Sequence, residues 1–158
     1  MKRLVMAGLL VAATGAQALD CAAPQPARNF MTAEARAQDI VIVMGQFVFD
    51  ASLMPGDDAP EGVVYPAIPG QFTGHGLTRD GFTAPMAVSV AIQPECLNPW
   101  CGHFAPTTDP VIAFLQVTGS AYLLPVEPCG SGIYPADDAT IALFTACMRG
   151  ETCADLTE

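Results

Sequence analysis
The chain has 158 residues, of which 51% are hydrophobic and 14% charged, and its formal net charge is −10. Affinity for nucleic acid or for an anionic membrane comes from cations that neutralise phosphates, and sixteen carboxylates against six basic residues argue against both partners. The length suits one domain with its own core.

Met1, Lys2 and Arg3 precede an apolar stretch from Leu4 to Ala13, and Ala16-Gln17-Ala18 is a small-residue cleavage pattern, so residues 1–18 read as a secretory signal peptide. The stretch is shorter than the roughly 20 apolar residues that a membrane span needs, and no later one reaches that length. No membrane insertion is expected after the signal is removed, and the expected location is periplasmic or secreted. A lipid anchor on Cys21 needs small residues before it, whereas Leu19 and Asp20 stand there. Residues 19–158 then form a single domain whose basic residues are Arg28, Arg36, Arg79 and Arg149, with no lysine and a net charge of −12. Such a charge is read as a device for solubility.

Ala27 to Ala37 is rich in Ala, Arg, Glu and Met, with Phe30 and Met31 as apolar anchors, and predicts a short helix. Ile40 to Phe49 is β-branched and aromatic. Its near-continuous apolar start predicts a strand buried on both faces, with Gly45 marking a bulge. Asp50 to Pro66 collects Pro55, Gly56, Asp57, Asp58, Pro60, Glu61 and Gly62 and is the longest expected loop. Asp57 and Asp58 are candidate contact residues there, as a solvated acidic tip without calcium-loop spacing.

Ala67 to Thr78 and Phe82 to Gln93 predict a hairpin turned at Arg79-Asp80-Gly81. In its second strand Met86, Val88, Val90 and Ile92 alternate with Ala87, Ser89, Ala91 and Gln93, which sets one face on the core. Pro94 to Pro110 is an irregular connection carrying two cysteines, with Trp100 and Phe104 as further candidate contacts. Val111 to Val117 and Ala121 to Val126 form a second hairpin around Thr118-Gly119-Ser120. Asp137 or Asp138 caps a closing helix from Ala139 to Arg149, which Gly150 stops. The expected fold is mainly β: a small five-stranded antiparallel OB-like barrel with a short N-terminal and a C-terminal helix.

Cys21, Cys96, Cys101, Cys129, Cys147 and Cys153 are an even set in an exported chain and predict three disulfides. Every connectivity is open. The expected one links Cys21 to the Cys96/Cys101 region and Cys129 to the C-terminal segment. Two functional readings compete with a purely structural one. Trp100-Cys101-Gly102-His103 matches the start of a thioredoxin-type site, but Phe104 stands where the resolving cysteine belongs. Cys96, Cys101 and His103 would supply three ligands to zinc or copper if the thiols were reduced. An oxidising compartment favours bridges, so no metal or other cofactor is expected.

One resemblance adds to this reading. A cysteine near the mature N-terminus, a short helix, the strand Asp39-Ile40-Val41-Ile42-Val43-Met44-Gly45, a Cys-Gly pair and a late cysteine after a hydrophobic strand resemble the order of netrin-like domains. The tissue inhibitors of metalloproteinases belong to that group. The resemblance implies a five-stranded OB barrel with disulfide-tied ends, and an N-terminal cysteine whose amine and carbonyl chelate a target's zinc. Here Leu19 and Asp20 precede Cys21, and Ala22 and Ala23 follow where those inhibitors carry a second cysteine. The chain also looks like exported proteins of alphaproteobacteria that share the Leu-Asp-Cys start, Asp80-Gly81-Phe82-Thr83 and Pro99-Trp100-Cys101-Gly102.

Acid–base catalysis near neutral pH usually draws on histidine. The two here are His75, between glycines, and His103, in the cysteine loop. No glycine-rich phosphate loop is present, and no catalytic residue is assigned. The expected function is a non-catalytic exported binding or assembly module of the bacterial cell envelope, acting on an envelope protein. The alternatives are a protease-inhibitor-like protein and a redox or metal-binding protein using Cys96, Cys101 and His103.

Overall fold
The structure is a computed structural model and describes residues 21–36, 39–56, 60, 63–97, 99–106, 108–130 and 132–155. The expected signal segment, and Asp57 and Asp58, lie outside the described residues.

Five strands make a closed ring: β1 (Ile40–Phe49), β2 (Ile68–Thr78), β3 (Gly81–Pro94), β6 (Val111–Thr118) and β7 (Ala121–Val126). They pair in the order β1-β2-β3-β7-β6, and β6 returns to β1, which completes the OB-like barrel. The expected all-antiparallel arrangement needs correction at one seam. β3 and β7 run parallel, from Val90 opposite Tyr122 to Pro94 opposite Val126. The physical reason is the connection: the chain leaves the end of β3, crosses to β6 by way of the cysteine loop and returns through a tight hairpin, so β7 reaches β3 in the same direction. Three short strands were not predicted. β4 (Cys96–Leu97) and β5 (Trp100–Cys101) form a separate ribbon, and β8 (Ile133–Pro135) pairs with the first residues of β6.

Alternation along β1 and β6 divides the apolar residues between two cores. Val43, Phe47, Ala113 and Leu115 point into the barrel with Phe72, Ile92, Leu124 and Val126. Ile42, Ile112 and Phe114 point outward, where helices α1 (Pro26–Glu34) and α2 (Asp138–Arg149) cover them with Phe30, Leu143 and Phe144. The first half of β1 is therefore covered on both faces, as its apolar start implied, whereas Gln46 and Val48 in its second half are exposed.

Gly45 is not a bulge. Its pairing runs without a shift from Val43 opposite Gly76 to Phe49 opposite Gly70, and the irregularity lies at Gly76/Leu77 between β2 and β3. Gly45 is required for close approach instead: a β-carbon on it would sit 2.3 Å from the Thr73 carbonyl oxygen.

α1 begins with a proline, whose fixed φ suits a first turn. Gln25 provides no side-chain cap, and the helix draws one from the other end of the chain: the Ala27 N–H donates to the Asp155 carboxylate at 2.7 Å. α2 is capped locally, because the Thr140 N–H donates to Asp137 at 2.7 Å and Gly150 ends the helix in the left-handed region at φ 74°.

All six cysteines are bridged, in a connectivity that differs from the expected one: Cys21–Cys129, Cys96–Cys101 and Cys147–Cys153. The short ribbon places Cys96 directly opposite Cys101, and Gly150 turns the tail so that Cys153 meets Cys147. Only Cys21 and Cys129 are left to join across the fold.

Candidate functional site
Two surfaces concentrate polar and reactive side chains, and the cysteine loop is the first. Cys96 and Cys101 stand opposite each other in the β4–β5 ribbon, and Leu97 stands opposite Trp100. The ribbon is seated on β7 by its backbone. The Glu95 N–H donates to the Val126 carbonyl at 2.9 Å, and the Gly102 N–H donates to the Glu95 carbonyl at 2.8 Å. Gly102 lies so close that a β-carbon on it would fall 1.9 Å from the Val126 oxygen. The Trp-Cys-Gly-His motif thus has a structural explanation, since the cysteine is bridged and the glycine is needed for contact.

Phe104, a candidate contact residue, turns inward. Its ring lies 5.6 Å from that of Phe47, edge to face, and 5.6 Å from that of Phe49, stacked, so it closes the end of the barrel. Trp100 is half-buried, while Leu97 beside it is 62% exposed. His103 is exposed and lines an open groove with Met54, Pro55 and Phe104. Among the described residues no three His, Cys, Asp or Glu side chains gather as metal ligands, and none of the cysteines is free.

The second surface had no local signal in the sequence. A cleft of about 200 Å³ lies between α1 and the barrel, walled by Asn29 and Thr32 of α1 and by Arg36 just beyond it. Ile40 of β1 and Phe114 of β6 contribute apolar lining, and Glu127, the residue after β7, also reaches it. A second cleft of about 420 Å³ adjoins it through Asn29 and runs past Arg28 to Cys129 and Tyr134. The Asn29 amide donates to the Tyr134 hydroxyl at 2.5 Å, which fixes the ridge between the two clefts. Burial holds the Tyr134 phenol above its ordinary value of 10.0, outweighing that donated bond, so it stays neutral. Arg28 and Arg36, half of the arginines that follow the expected signal, flank the clefts. Among the described residues neither Arg36 nor Glu127 is in an ion pair. These residues come from three regions far apart in sequence, around Asn29, Phe114 and Glu127, which is why no motif announces them.

No family model, curated protein or solved structure matches this chain.

Proposed function
We propose that the protein is an exported, non-catalytic binding module that acts in the periplasm or outside the cell, on an envelope protein. The observation that carries this reading is the fate of the reactive side chains. Cys96, Cys101 and His103 are the residues on which the redox and metal readings depend, and the two sulfurs are joined in a bridge across the β4–β5 ribbon. That favours binding over the redox and metal alternatives. Three disulfides suit an oxidising compartment, and among the described residues no helix is long and apolar enough to cross a membrane. The test is affinity capture from envelope extract at native abundance in gentle detergent. Recovery of a stoichiometric partner supports the reading; recovery of the bait alone counts against it.

A second reading, a protease inhibitor of netrin-like type, has one observation in its favour. Cys21 is exposed and tied to Cys129, which lies past the end of β7, so the front of the described chain is fastened to the barrel as that resemblance implies. A mature chain that begins at Cys21 and inhibits a metalloprotease would support it. One that begins at Leu19 and inhibits none in a broad panel would remove it.

A further inference from the structure
We propose that the cleft between α1 and the barrel binds a small zwitterion, an α-amino acid with an aliphatic side chain. This goes beyond the envelope-partner reading and stands whether or not a protein partner is found.

Arg36 offers a guanidinium, the group best matched to a carboxylate. Glu127 offers a carboxylate to an ammonium group from the β7 side of the same cleft. Neither charge is neutralised by an ion pair among the described residues, so each is available to a ligand. A purely anionic ligand would face Glu127 in an already acidic protein, and a purely cationic one would face Arg36; a ligand carrying both charges satisfies both walls. Thr32 and Asn29 add hydrogen-bonding groups, and Ile40 and Phe114 provide an apolar surface for a side chain. The volume of about 200 Å³ sets the size. Pockets for drug-sized molecules start near roughly 300 Å³, so the occupant is smaller than those.

The experiment titrates the unlabelled ligand leucine into isotope-labelled full-length mature protein and follows the backbone amides of Asn29, Thr32 and Gln116. Two analogues are titrated alongside: 4-methylpentanoate, which lacks the ammonium group, and 3-methylbutylamine, which lacks the carboxylate. Leucine is expected to shift these amides saturably, and each analogue to bind at least about tenfold more weakly, a difference of about 1.4 kcal/mol. Arg36→Gln and Glu127→Gln should each weaken leucine by a similar factor, while Arg79→Gln, at the far hairpin, should leave it unchanged. No saturable shift by about 10 mM, beyond the weak end of ordinary affinities, overturns the proposal. Equal binding of leucine and both analogues also overturns it, and so does leucine affinity that survives both cleft substitutions. The analogue comparison uses the unaltered chain and decides the question even where a variant folds poorly.

Discussion

Gly45 and Gly74 face each other across the β1–β2 ladder with the ring of Phe72 laid over both. A β-carbon on Gly74 would lie 2.2 Å from the Met44 carbonyl oxygen, and one on either glycine would come within 2.9 Å of the Phe72 ring. The missing side chains make room for the ring, and the ring covers the backbone they leave bare, an arrangement that strengthens sheets at glycine positions.

Gly45→Ala and Gly74→Ala should each destabilise the protein by about 1–3 kcal/mol or more, because the obstruction is backbone that cannot swing aside. Gly56→Ala, where nothing lies within 4 Å of the added carbon, should have little effect. Denaturant midpoints of the three variants check this. Similar midpoints for all three would contradict it.

Gly102→Ala should lift the cysteine ribbon off β7 without opening its disulfide. Phe104 follows in the same loop, so its contact with Phe47 and Phe49 should loosen as well. The expected outcome is faster hydrogen exchange at Glu95 and Gly102, while the Cys96–Cys101 bridge persists in the mass of the intact chain.

The bridges should differ in worth. Cys21 and Cys129 are separated by 108 residues, against 5 for Cys96 and Cys101 and 6 for Cys147 and Cys153. In the chain-entropy account the long loop contributes about 5 kcal/mol and each short one about 2. Paired serine substitutions, compared by denaturant unfolding, should rank the Cys21–Cys129 variant as the least stable.

Asp155→Ala should remove the cap from α1 and cost about 1 kcal/mol. The Cys147–Cys153 bridge holds the tail that carries Asp155. Breaking that bridge and removing Asp155 should therefore cost less together than the sum of the two alone. Additive effects would show that the bridge and the cap act independently.

Acid should expose two of the fold's carboxylates. Hydrogen bonds from Thr140 hold Asp137 below its ordinary value of 3.8, and hydrogen bonds from Ser52 do the same for Asp50. The folded chain then binds fewer protons at these sites than the unfolded chain does. Their contribution is present above the unfolded value and lost as pH falls through the lowered folded values. Asp137→Asn keeps an N-cap but cannot titrate, so its stability should fall less steeply than the parent's on the acid side of pH 3.8.

The strands were legible where packing is local. Met86, Val88, Val90 and Ile92 announced β3 by alternation, and Asp80-Gly81 announced its turn. Asp137 and Gly150 bracketed α2 for the same reason, since caps act within one helical turn. Contacts between distant segments were hidden. The glycine at position 45 has the same letter whether it makes a bulge or a close approach, and only the partner strand tells which. The pairing of Cys21 with Cys129 depends on where the barrel brings the two ends, and the cleft formed by Arg36 and Glu127 exists only after α1 has docked. Phe104 reads from sequence as an exposed contact, and the barrel end it fills exists only with β1 in position.

Ring closure has a consequence for how the protein matures. The β1–β6 seam joins residues far apart in sequence, from Ile40 opposite Gln116 to Gly45 opposite Val111, so it requires a large loss of chain freedom before any contact rewards it. The two short bridges close small loops and can oxidise on a chain that is still open, whereas Cys21 and Cys129 meet only once the barrel has formed. Oxidative refolding should therefore accumulate a species with the short bridges made and the long one open, and the last two thiols to disappear should mark the moment the barrel shuts.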